Sequence, residues 1–153
     1  MNIRILKTLS SFFLFIFLSN ELLADQGISS DQILIGMHTD ISGPASMIGK
    51  QSVDGANMRF KEFNENGGAF GRTIKLIVED HQYTVPRAVQ AANKLLRKDK
   101  VAFMMGALGT PMNNAVMTDQ LAMNVPNLFP LTAARSMFDP FDRLKFTSGS
   151  TYY

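Results

Sequence analysis

Val101-Ala102-Phe103-Met104-Met105-Gly106-Ala107-Leu108-Gly109-Thr110-Pro111 runs from an apolar strand pattern, through a glycine-bearing exit, into a helix start. A short apolar run bounded by turn residues is the pattern of a strand buried on both faces. Proline at the first helical position, behind a residue of the capping type, marks where a helix begins. This spacing predicts Thr110 as the N-cap and Pro111 as the first helical residue, with the helix continuing to about Met123.

The same unit recurs on either side. Ile33-Leu34-Ile35-Gly36-Met37 is an apolar run, followed by the polar loop Thr39-Asp40-Ile41-Ser42-Gly43-Pro44. Val53, Ala56, Phe60 and Phe63 then recur at steps of three and four, which places them on one helix face. Asn66-Gly67-Gly68 closes that helix, because glycine takes the left-handed cap conformation without a steric penalty. Ile74-Lys75-Leu76-Ile77-Val78 predicts a second strand, ending in Glu79-Asp80. A second helix is predicted from about Pro86 to Lys98, with Val89, Ala92, Leu95 and Leu96 as its buried stripe. Arg97, Lys98 and Lys100 complement its negative end. Downstream, Pro126-Asn127-Leu128-Phe129-Pro130 predicts a short fourth strand, at or near a sheet edge because of its prolines. Leu144 to Thr147 is the candidate for a fifth. Strands alternating with helices predict an α/β fold: a doubly wound parallel sheet with helices on both faces. Ligands of such sheets sit in the crevice beyond the carboxyl ends of the strands.

Residues 1–24 read as a secretory signal peptide, leaving 25–153 as one domain. Arg4 and Lys7 form a basic start, and Phe12 to Leu18 is an apolar run inside a stretch too short to span a bilayer. Ala24 supplies a small residue before Asp25, although Leu22 is a poor match two positions earlier. The competing reading is an uncleaved membrane anchor. Without residues 1–24, which carry Arg4, Lys7 and Glu21, the net charge falls from +2 to +1. That balance gives no footprint for a nucleic-acid partner. The chain has no cysteine, so neither a disulfide nor a lipid-modified cysteine is possible.

The clearest candidate site is Leu108-Gly109-Thr110-Pro111. A helix start exposes unpaired amide donors and the positive end of the helix dipole, and so attracts an anionic group. The Thr110 hydroxyl could add a donor, or could merely cap its own helix. Ser42-Gly43-Pro44 and Leu131-Thr132-Ala133-Ala134 occupy matching positions after the first and fourth strands. Three small, hydroxyl-bearing loops on one sheet edge form a cup for a small polar head group. His38 and His81 stand alone, without metal-ligand spacing, and read as structural. Glu79-Asp80 lacks a nucleophile beside it and reads as a loop cap. There is no dinucleotide fingerprint after the first strand, no phosphate loop with its lysine, and no cofactor is implied. The methionines read as core filler. Nothing in the pattern supports an enzyme.

The ordered series Ile33-Leu34-Ile35-Gly36, Ser42-Gly43-Pro44, Gly55-Ala56, Asn64-Glu65-Asn66-Gly67-Gly68, Gly71-Arg72, Glu79-Asp80, Ala88-Val89 and Gly106 to Pro111 resembles one family. It is that of the leucine/isoleucine/valine-binding periplasmic proteins that serve ATP-driven importers. The resemblance implies the N-terminal lobe of a type I periplasmic-binding clamshell, exported to the periplasm. Its partners would be a small-molecule ligand, an amino acid or organic acid, and the membrane permease of an ABC importer. By position, Leu108, Gly109 and Thr110 match one ligand loop, and Leu131, Thr132 and Ala133 match another. Ser42 joins them from the first loop. Ile48 falls where amino-acid binders often carry an aromatic residue, and the family's hydroxyl in the second loop commonly stands two residues after Thr132. Family members are about twice this length or more, so a truncated lobe is expected, with the second lobe absent. Two other readings are a ligand-sensing receptor domain of the same fold, and a lone lobe from a split or truncated gene.

Overall fold

The computed structural model describes residues 26–147, 149 and 151–152, so the leader read at 1–24 lies outside the described residues. Five strands form one parallel sheet: β1 (Gln32–Thr39), β2 (Thr73–Asp80), β3 (Phe103–Met105), β4 (Asn127–Leu128) and β5 (Lys145–Phe146). Their order across the sheet is β2-β1-β3-β4-β5. The doubly wound α/β fold expected from the alternation is therefore present, and β4 lies one strand in from the edge. The chain leaves β1 in one direction to form β2, then returns past it to form β3. This reversal opens a crevice between the loops that follow β1 and β3.

Register decides which side chains share a face. β1 and β2 pair from Gln32↔Thr73 to Thr39↔Asp80, and β1 meets β3 at Ile35↔Phe103 and Gly36↔Met104. Leu34, Gly36, Ile77 and Met104 therefore lie on one face. Helices α2 (Val85–Asn93) and α3 (Thr110–Ala122) pack there. Ala92, Leu95, Leu96, Val101, Met104, Val116 and Val125 form the buried core, with Leu34, Ile77, Val89 and Met123 against it. Gly36 is what admits the segment after α2 so closely: a Cβ there would stand 3.1 Å from Val101 and 3.3 Å from Leu95.

Helix α1 (Ser46–Glu65) packs on the opposite face, against β2. The Asn64 side chain ties its end to that strand, donating to the Ile74 carbonyl at 2.9 Å and accepting from the Ile74 amide at 2.8 Å. Gly67 and Gly68, both with positive φ, then turn the chain as the sequence predicted. The predicted stripe Val53, Ala56, Phe60 and Phe63 is only half-buried. On α1's side of the sheet, the register also aligns Phe103, Met105, Leu128 and Phe146, of which the first three are half-buried and Phe146 is exposed.

Two elements depart from the sequence expectation. The helix predicted over 86–98 is α-helical only to Asn93 and continues as one π turn over Lys94–Lys98. Both adjacent leucines, Leu95 and Leu96, are buried on this turn. Lys94 holds its flank, pairing with Glu79 at 2.7 Å and Asp99 at 2.8 Å. The third strand begins at Phe103 and not at Val101, although Ala102 still donates to the Leu34 carbonyl.

Candidate functional site

The carboxyl ends of the strands carry four loops, and hydrogen bonds between them build one platform. Asp40 is buried and caps its own loop, accepting from the Gly43 amide at 2.5 Å and the Ala45 amide at 2.7 Å. Asp80 accepts from the amides of Ile41 and Gln82, each at 3.0 Å, and from the Ser42 hydroxyl. Burial pushes the Asp80 carboxyl up, but these hydrogen bonds outweigh it and hold it below the usual carboxylate range. Glu79 and Asp80 thus serve as a salt-bridge partner and a loop cap.

Beyond β3, the chain turns into α3 at Gly109. The expected N-cap role of Thr110 is corrected here: Gly109 is the N-cap, and Thr110 is the first helical residue. Gly109 has φ +92°, which disfavours any side chain, and a Cβ would stand 2.2 Å from the Met112 methyl and 3.1 Å from the Tyr83 ring. Asn113 completes the turn, its side-chain amide donating to the carbonyls of Ala107 and Gly109, each at 2.9 Å. With the cap taken by glycine, the Thr110 hydroxyl is released from its own helix. It meets the Thr132 hydroxyl at 2.5 Å.

The predicted residues therefore divide by what they offer. The amides of Leu108, Gly109 and Leu131 are engaged in the platform, donating to His38, Leu131 and Ala107 carbonyls respectively. Leu108 and Leu131 form a parallel bridge that prolongs the β3–β4 pairing toward the mouth. Thr110 and Thr132 are brought together, and Thr132 also lies 3.3 Å from the Tyr152 hydroxyl. That contact, then a backbone hydrogen bond from Ala133 and the Thr110 hydroxyl, lowers the Tyr152 pKa. Ala133 accepts from the Tyr152 amide at 3.1 Å. Ser42 turns instead to Asp80, and Ile48 is 49% exposed on the first turn of α1. First-turn amides of a helix have no intrahelical acceptor, which leaves that of Thr110 next to its own hydroxyl, while Met112 is buried. A compact anionic group suits this arrangement.

Read from the sequence, His38 and His81 stand alone; the structure brings their rings together, tilted by 56° with centroids 5.5 Å apart. Continuing the β1–β2 register by one step sets His81 opposite Asp40, so register was the signal that could have found it. The Tyr83 amide donates to His81 Nδ1 at 3.0 Å, so Nε2 carries the proton and donates to the Leu108 carbonyl at 3.1 Å. Burial lowers the His81 pKa, against the pull of the Leu108 bond and of Asp40 and Asp80. Burial, and then His81, push His38 down to about 3. Neither nitrogen of His38 has a hydrogen-bond partner among the described residues. The described residues also hold no group of three or more His, Cys, Asp or Glu able to bind a metal.

Residues 32–149 match the family model described as periplasmic binding protein. A Leu/Ile/Val-binding protein of Rhizobium johnstonii is 30% identical over 102 residues, covering 67% of this chain and 27% of that protein. A solved substrate-binding periplasmic protein from Ralstonia solanacearum superposes with a TM-score of 0.74 at 27% identity. It covers 79% of this chain and 34% of its own. A solved fatty acid ABC transporter substrate-binding protein from Thermomonospora curvata gives a TM-score of 0.72 at 26% identity, covering 83% of this chain and 31% of its own. The chain thus spans about a quarter to a third of the length of these relatives.

Proposed function

This chain belongs to the periplasmic binding protein family, and from that premise we propose that it works as the substrate-binding part of an ABC importer. It captures an amino acid or similar small organic acid in the periplasm, after export by the leader 1–24, and delivers it to a membrane permease. The observation that carries this reading is the Thr110–Thr132 hydroxyl pair at the positive end of α3, beyond the carboxyl ends of β3 and β4. The ligand's carboxylate receives hydrogen bonds from the Thr110 amide and from the two hydroxyls. Charge-assisted bonds of this kind are the strong ones, and the helix dipole adds to them. The mechanism is capture: the ligand is held and released unchanged.

Ser42 and Ile48 line the β1 side of the mouth, and Leu131 and Ala133 fix the position of Thr132. Binding proteins of this kind close on the ligand by hinge motion of a second lobe, which would approach from the open side. Before that closure, part of the ligand stays in water. Losing half of an interaction of about −8 kcal/mol turns micromolar binding into millimolar.

The test is an NMR titration of the chain with L-leucine, L-valine and butyrate at millimolar concentration. Shifts centred on Thr110, Met112 and Thr132 are expected from at least one of them. Amides of these residues that stay fixed with all three probes would sink the reading.

A further inference from the structure

Two loops converge on the mouth without any covalent or strand-like link between them: Gln82–Thr84 after β2, and Gly106–Gly109 after β3. One side chain joins them. His81, fully buried, accepts from the Tyr83 amide through Nδ1 and donates to the Leu108 carbonyl through Nε2. Both ring nitrogens are thereby committed, and only the neutral ring with its proton on Nε2 satisfies both bonds.

The consequences reach the site on both sides. Leu108 is the residue before the N-cap, so its carbonyl sets the pitch at which Gly109 turns into α3. Tyr83, held by its amide, has positive φ (+56°), and its ring lies against Gly109. Neither loop has another side chain of this kind spanning to its neighbour among the described residues' hydrogen bonds.

We infer that His81 is a positioning residue of the ligand site, whose neutral Nε2–H form holds the Leu108 carbonyl and the Tyr83 amide so that the first turn of α3 is aimed at the ligand. The inference rests on the capture function proposed above. A proton on Nδ1 would set two N–H groups against each other, His81 and Tyr83. The Tyr83 loop would have to release, and the Gly109 turn would lose the ring packed on it. Ligand affinity therefore falls with acidification, although His81 never touches the ligand.

The groups that face His81 fix the direction of this response. His38 on β1 lies against the ring and is itself kept neutral, by burial and then by His81. Asp40 from the β1 loop and Asp80 from the end of β2 favour the charged ring. Tyr83 lies 6.4 Å away, ring to ring, and the loop before α3 presents the Leu108 carbonyl. Burial outweighs the two carboxylates, so the ring is neutral at neutral pH and takes its proton only on acidification.

The test is a pH titration of the nitrogen-15-labelled full chain from about pH 8 to pH 4.5, followed by NMR. His81 should report the Nε2–H tautomer at the upper end. The amides of Tyr83, Leu108 and Gly109 should shift together with the imidazole as it takes up its proton. Affinity for the tightest of L-leucine, L-valine and butyrate should fall about tenfold over the same range. His81→Gln, which keeps a donor for Leu108 without titrating, should bind several-fold more weakly than the parent at neutral pH, with less than about a twofold pH response. An Nδ1–H tautomer overturns the inference. So do amides of Tyr83 and Gly109 that ignore the titration, or a pH response that survives in His81→Gln. If none of the probes binds at any pH while the amides track the imidazole, the capture function fails and the His81 coupling stands.

Discussion

The hydroxyl of Thr110, on the first turn of α3, lies 2.5 Å from the hydroxyl of Thr132, in the loop after β4. The two residues come from different strand–helix units and meet only because β3 and β4 are neighbours. Each can donate to one partner and still accept from another. A pair of hydroxyls in this arrangement can exchange their mutual bond for bonds to an incoming carboxylate.

Thr110→Ala should weaken ligand binding by roughly 1–3 kcal/mol, the range for losing a hydrogen bond to a charged group. Because Gly109 and not Thr110 is the N-cap, thermal stability should change little. Titration calorimetry and a melting curve on the same sample separate the two effects. Unchanged affinity with a lowered Tm would return Thr110 to a purely structural role.

Gly109→Ala should destabilise the fold by about 1–3 kcal/mol, since alanine at this φ is strained and its Cβ would collide with Met112. Urea denaturation measures this directly. A midpoint equal to that of the parent would mean that the turn relaxes without cost.

Acid should weaken the fold through His38. Its native pKa, about 3, lies below the 6.5 of the unfolded chain. Between those limits the unfolded state takes up a proton that the native state refuses. The stability is present above about pH 6.5 and is lost as pH falls, by up to roughly 1.4 kcal/mol per pH unit from this residue. His38→Leu removes both the titration and two buried nitrogens without partners. It should be at least as stable as the parent at neutral pH and clearly more stable near pH 5, as read from urea midpoints. A parallel pH dependence in the two proteins would contradict this account.

Leu95→Ala should cost about 2–5 kcal/mol, because Leu95 is fully buried where the π turn meets β1. A loss below about 1 kcal/mol would show that the turn re-forms as α-helix and closes the cavity.

The strands and helices were legible because each has a local signature: the apolar run of β1, the glycine pair after α1, the proline at Pro111. The identity of the N-cap before α3 was less so. Threonine is favoured at that position on residue type, yet the chain needs a positive φ one residue earlier, and only Gly109 supplies it. The π turn was hidden because two adjacent leucines fit an ordinary helical stripe almost as well. The contact of His38 with His81 was hidden for a different reason. It depends on the register of two strands separated by a whole helix, which no local pattern encodes. The same holds for Thr110 with Thr132, whose loops the sequence put on one edge but could not bring into contact.

The row Phe103, Met105, Leu128 and Phe146 is an apolar strip that ends in an exposed aromatic ring. Phe129 and Phe141 add aromatic surface nearby in sequence, at 47% and 88% exposure. Surface of this kind favours contact with any apolar partner over contact with water, and among the described residues the short strand β5 is the last of the sheet beside it. This lobe, taken by itself, should therefore scatter more light per molecule as its concentration rises, and a dilution series would show it.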